Sequence, residues 1–238
     1  MAEEKMKAKD KRKRKEQSEL SKDTHKIVQL FEFVFTFLII VLIFISVRDE
    51  GFRILNGHVF QSTMGWMVMM VQGLLVFNGV NPLFKKIMGK DQIFIHWVIE
   101  TIALIGASLG FYCAYEHKVE NNKEHFTTWH AWLGLIGYVL CIVTGLNGIP
   151  TLYRKELKNW ISPSWNKQFH FVTGTIGFGC GGVSLILACY SKWFARRTSN
   201  SFVTFCIAVF LVASVFVWSI IKPINKIRGN WRKMNSKD

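Results

Sequence analysis

The stretch IFIHWVIETIALIGASLGFYCAY at 93–115 decides the fold. At 1.5 Å per helical residue it is long enough to cross a hydrocarbon core about 30 Å thick. It holds no Lys or Arg. Five more segments read the same way, at 27–47, 58–80, 130–150, 170–191 and 202–221, and all 30 Lys and Arg of the 238-residue chain lie outside the six. A soluble helical bundle would instead carry polar stripes at helical period within its helices. The expectation is an all-α membrane protein of six transmembrane helices. Residues 27–221 form one domain between a basic N-terminal tail, 1–26, and a basic C-terminal tail, 222–238.

The N-terminal tail holds ten Lys and Arg, with KRKRK at 11–15. A run of like charge this dense is a solvated tail, able to touch anionic membrane lipid rather than nucleic acid. No cleavable signal precedes it, so the first span is expected to act as an uncleaved anchor. The five cysteines all fall in apolar runs and form no CxxC pair, which reads as packing rather than zinc or disulfide chemistry. No nucleophile constellation or phosphate loop is present. The glycines at 177–182 lie inside a span, where they cannot cradle a phosphate.

With six spans both termini share a side. The tails and the loops at 81–92 and 151–169 hold twenty-three Lys and Arg, against seven in the opposite loops. The excess of positive charge puts both termini in the cytosol. Glu32, one turn inside the first span, reads as a peripheral residue at the cytosolic interface.

Four consecutive spans each carry one histidine near their start: GHV at 57–59, IHW at 95–97, WHA at 129–131 and FHF at 169–171. An ionisable side chain within a span is a functional-site candidate. The middle four spans therefore read as a four-helix core, flanked by the histidine-free first and last. His58 and His130 start spans entered from the non-cytosolic side, whereas His96 and His170 start spans entered from the cytosol. A span about 30 Å long keeps opposite ends from sharing one centre. The four residues thus form two pairs, His58 with His130 and His96 with His170.

Two neutral imidazoles facing each other suit the two axial positions of an iron porphyrin, so each pair is expected to bind one b-type haem. Gly134 and Gly137 follow His130, and Gly174, Gly177 and Gly181 follow His170, at spacings that put small residues on the histidine face. These glycines are read as room for the macrocycle. A zinc or copper site would want three or four ligands, and only Glu100 lies near enough to add one. A proton relay would want mid-membrane carboxylates. The alternative from another class is a six-span proton or metal transporter lined by histidine and free of haem.

With His58, His96-Trp97, His130 and His170 in register, the chain resembles the cytochrome b561 family, and within it the cytochrome b561 domain-containing protein 2 branch. The loop from His117-Lys118 through Lys123 and His125 to Thr128 is similar too. One departure stands out: the branch opens the second span with His-Pro, and here Val59 follows His58. The resemblance implies a transmembrane ascorbate-dependent reductase. Electrons would pass from cytosolic ascorbate through two haem b groups to monodehydroascorbate radical or ferric iron (Fe3+) on the other side. It implies contacts to ascorbate at Lys86, Lys90 and Arg154, and to the acceptor at His117, Lys118 and His125. It also implies a homodimer, and an endomembrane, endoplasmic reticulum or vesicle, in preference to the plasma membrane. A ferric reductase of the NADPH type would instead stack both haems between the same two helices, with two histidines on each.

Overall fold

The computed structural model describes residues 26–27, 30–78, 92–153 and 155–235, and among these the chain is helical with no strand. The long helices are α1 (Leu30–Glu50), α4 (Gln92–Glu120), α5 (Trp129–Leu152), α6 (Pro163–Ala188) and α8 (Phe202–Asn235). Each of the five has a stretch long and apolar enough to cross a membrane. Between α1 and α4 the expected second span takes a different form. Its path from 54 to 78 runs through α2 (Ile54–Ser62), a π-helical segment (Thr63–Met70), α3 (Val71–Leu75) and a 3-10 turn (Val76–Asn78). A short helix, α7 (Lys192–Arg197), links α6 to α8.

Helix ends follow ordinary capping chemistry. The Thr128 side chain accepts from the Ala131 amide to start α5. Pro163 supplies the preset φ of a first helical turn and starts α6, seven residues before His170. The helices therefore overrun the apolar windows: α5 continues past Pro150 to Leu152, and α8 passes through Pro223 to Asn235. The C-terminal stretch from 222 is thus helical as far as 235. Residues 1–25 of the N-terminal tail, and Lys86, Lys90 and Arg154, lie outside the described residues.

The core is not confined to the four histidine-bearing spans. It gathers Phe35, Ile39 and Leu42 of α1, Trp66, Met67, Met70 and Val71 of the second path, and Ala208, Leu211, Val212, Val215 and Phe216 of α8. α5, by contrast, buries Gly137 alone. The reason lies in its partner: α5 packs extensively on α6, along a seam of small residues that lets the backbones close. Large apolar side chains such as Phe33, Phe37, Phe44, Ile105 and Phe210 point outward, as a lipid-facing surface requires.

Glu32 departs from its expected peripheral place. It is only 6% exposed, and both of its carboxylate oxygens accept from Gln72 Nε2, at 3.1 and 2.9 Å. Packing of α1 onto the second path encloses it, and the Gln72 amide meets its need for a partner.

At the other end of α1, Asn56 ties three elements together. Its Oδ1 accepts from Ser46 Oγ of α1 at 3.1 Å and from Trp193 Nε1 of α7 at 3.1 Å. Arg197 of α7 reaches Glu50 beside it, at 2.5 Å. Asn56→Leu would leave two buried donors unsatisfied, at a cost of about 1–3 kcal/mol each. A lowered thermal midpoint in detergent is expected, with the spectrum at 25 °C unchanged; an unchanged midpoint would refute the clamp.

Candidate functional site: two histidine pairs between two hairpins

His58 and His130 have ring centres 6.1 Å apart with planes at 77°, and His96 and His170 have centres 6.3 Å apart at 76°. The four rings are thus brought together two by two, each pair drawing one ring from the α2/α4 hairpin and one from the α5/α6 hairpin. Two imidazoles gripping one metal ion from opposite sides, each nitrogen about 2.0–2.1 Å from it and about 1.1 Å from its own ring centre, put the centres about 6.3 Å apart. Both observed spacings fit that grip.

The rings are also fixed in one tautomer. His58 Nδ1 lies 2.9 Å from Gly110 O, and His96 Nδ1 lies 3.0 Å from Gly73 O. His130 Nδ1 lies 2.9 Å from Ser184 O, and His170 Nδ1 lies 3.1 Å from Thr144 O. A backbone carbonyl only accepts, so in every case Nδ1 is the donor. Nε2, on the other edge of the ring, keeps its lone pair. This is the orientation that metal-ligating histidines take, with the second nitrogen anchored to a carbonyl. Ser184 adds a further tie: its Oγ donates to His130 O at 2.8 Å and lies 3.0 Å from His130 Nδ1. Ser62 Oγ, four residues along from His58 itself, lies 3.3 Å from His58 Nδ1.

These anchors reveal a regularity that a scan for charged or polar residues misses, because the acceptors are main-chain atoms. Gly110 lies fourteen residues after His96, Thr144 fourteen after His130 and Ser184 fourteen after His170. Each helix therefore carries one histidine and, about 21 Å further along, the carbonyl that anchors the histidine of its hairpin partner. In the second path the count from His58 to Gly73 is fifteen. The π-helical segment lies within that interval and absorbs the extra residue, keeping both ends in register.

The glycines do not make room at the rings. A side chain on Gly134 would meet Ser184 Oγ, one on Gly174 would meet Thr144 and one on Gly177 would meet Leu140 and Cys141. On Gly137 it would meet the backbone of Gly177 and Gly181, so these positions serve the α5–α6 seam. Among the described glycines only Gly148, 3.6 Å from His170 Cε1 when given a Cβ, borders a histidine ring directly. Glu100 stands 3.7 Å from His96 Nδ1 and packs against Gly73. Among the described residues no three His, Cys, Asp or Glu gather into one metal-binding group.

Of the loop residues, His117 and Lys118 end α4 at the His58/His130 end of the bundle. Asn121 Nδ2 donates to the His117 carbonyl at 2.7 Å, and His125 stacks on Tyr115 at 4.6 Å.

Over residues 57–195 the chain matches the family of eukaryotic cytochrome b561. It is 30% identical over 159 residues to Transmembrane reductase CYB561D2 of Bos taurus, covering 66% of this chain and 71% of that protein. The Homo sapiens protein of the same name is 29% identical over 160 residues, covering 67% and 72%. A shorter likeness, 34% over 71 residues, joins 29% of this chain to 31% of Transmembrane ascorbate ferrireductase 2 of Arabidopsis thaliana.

Proposed function

The chain belongs to the eukaryotic cytochrome b561 family, and from that premise we propose that it carries single electrons across a membrane. The donor is ascorbate in the cytosol, and the acceptor on the opposite side is monodehydroascorbate radical or ferric iron. His96 with His170 holds the haem b nearer the cytosol, and His58 with His130 holds the other. Bound there, haem iron supplies a reversible one-electron couple. The observation that carries this reading is the matched anchoring of all four Nδ1 atoms, with the ring centres of each pair 6.1 or 6.3 Å apart.

Each residue's work follows from its place. The carbonyls of Gly110, Gly73, Ser184 and Thr144 hold the imidazoles aimed, each with the proton on Nδ1 and Nε2 free. The closed α5–α6 seam and the apolar core keep water from the middle of the bundle, so charge can settle only at the two ends. In this reading the 54–78 path serves as the sixth span and both termini face the cytosol. The 27–221 unit carries the activity between its two tails. Lys86, Lys90 and Arg154 attract the ascorbate anion at the His96/His170 end. His117, Lys118 and His125 receive the acceptor beside His58/His130. The name of the Arabidopsis relative supports ascorbate and iron as substrates. A homodimer in an endomembrane completes the proposal.

Absorption spectra of the purified protein test it directly. Two haems per chain are expected, with ascorbate reducing a large share of what dithionite reduces. A colourless protein would sink the haem reading in favour of a histidine-lined transporter. Reduction by dithionite alone would remove ascorbate as donor while leaving the haems.

A further inference from the structure

Between the two pairs lies one aromatic ring that belongs to neither. Trp66 stands in the π-helical segment, eight residues after His58 and seven before Gly73. On α5 its neighbour Gly137 stands seven residues after His130 and seven before Thr144. Two helices therefore place the indole independently at the midpoint, about 10–12 Å along the bundle from either pair.

The ring is 7% exposed and lies flush against the backbones of the facing hairpin. A Cβ on Gly181 would fall onto its six-membered ring, and one on Gly137 would come within 3.3 Å of Cη2. Other aromatic rings at this level turn elsewhere. Phe178 stacks on Phe216 of α8 at 4.6 Å, and Tyr138 stacks on Phe111 at 5.2 Å while donating to Ser108. Trp66 alone of these three bridges from one hairpin to the other.

Resting on the two-haem reading, we propose that Trp66 is the residue that couples the two pairs electronically, and that the π-helical segment is the device that delivers it. Tunnelling weakens steeply with each ångström of saturated or empty gap. A delocalised π system set midway, in contact with the main chain of α5 and α6, offers the electron a shorter sequence of gaps. The electron leaves the reduced centre at one pair and arrives at the oxidised centre of the other, with no bond made or broken. Trp66 is not itself oxidised. The extra residue between His58 and Gly73 has a use on this account: π-helical insertions cluster at functional sites, and this one pushes a large ring out of the helix at mid-bundle.

The test compares wild type with Trp66→Phe and Trp66→Leu in the full-length haem-loaded protein. All three are expected to bind two haems with unchanged reduced spectra. After rapid mixing with ascorbate, equilibration between the two haems is expected to slow about tenfold in Trp66→Leu, with Trp66→Phe between. Location is read without turnover: wild-type minus Trp66→Phe emission isolates Trp66, and similar quenching is expected in His58→Ala and His96→Ala proteins, each holding one haem. Quenching by one haem only, or a wild-type rate in Trp66→Leu with both haems bound, overturns the proposal. So does loss of haem from Trp66→Leu alongside a wild-type rate in Trp66→Phe, which would mark pure packing. A wild-type protein lacking haem would overturn the two-haem reading itself, which its own spectrum reveals.

Discussion

His96→Ala is expected to halve the haem content and abolish transmembrane electron transfer, while the second haem stays in place. The ring it removes is one of two that grip the same site, its partner being His170, with ring centres 6.3 Å apart. Losing a group that merely orients a metal ligand typically costs 10–100-fold in affinity, so losing a ligand outright costs at least that. The other site is insulated from the change. His58 and His130 take their anchors from Gly110 O and Ser184 O, each fourteen residues along its helix from the ligands of the lost site, or about 21 Å. His130→Ala should mirror the result, leaving the His96/His170 haem. Two features separate ligand loss from misfolding: the retained half of the spectrum should keep its wild-type shape, and imidazole added to the buffer should restore the missing half. A full two-haem spectrum in either variant would refute the pairing.

That the four rings meet two by two was readable from the chain because its cause is one-dimensional. Whether a histidine opens a span from one side or the other follows from order and charge, and the rings found together are those sorted to the same depth. The apolar windows likewise located five of the long helices. What stayed hidden depends on three-dimensional contact. The second span reads as one more apolar run free of Lys and Arg, and nothing in Thr63–Met70 announces a π-helix. It shows only against its neighbours, as a count of fifteen where three other helices count fourteen. The anchors of the histidines are carbonyl oxygens, which every residue has, so no side-chain pattern marks them. One weak trace exists: Gly73, Gly110, Thr144 and Ser184 are all small enough to let an imidazole reach the main chain. Glu32 was misplaced because distance along a helix says nothing about which face a neighbour covers, and Gln72 covers it. The glycines after His130 and His170 illustrate a related trap. Their spacing correctly marks a close-packed face, but the object that closes on it is the other helix.

The seam made by those glycines supports the strongest structural prediction, that Gly137→Val removes both haems where a single histidine change removes one. A Cβ at Gly137 would stand 2.9 Å from Gly181 N and 3.0 Å from Gly177 O, and backbone atoms cannot swing aside as a side chain does. The helices must part. Each of the two depends on the other for orientation, since α6 supplies Ser184 O to His130 and α5 supplies Thr144 O to His170. Gly137 lies seven residues from both His130 and Thr144, about 10 Å, so a wedge there loosens both anchors together. Gly137→Ala adds one methyl and is expected to cost about 1–3 kcal/mol of stability with partial haem at both sites. Gly145→Val is the control in the same helix: its Cβ would meet only Leu104 Cδ2 at 3.7 Å, an ordinary contact, and near-wild-type haem is expected. Haem-to-protein ratios and thermal midpoints measured on the three variants decide the matter. If Gly137→Val kept one fully occupied site, the two anchors would be mechanically independent, and the hairpin could not be the unit that sets both.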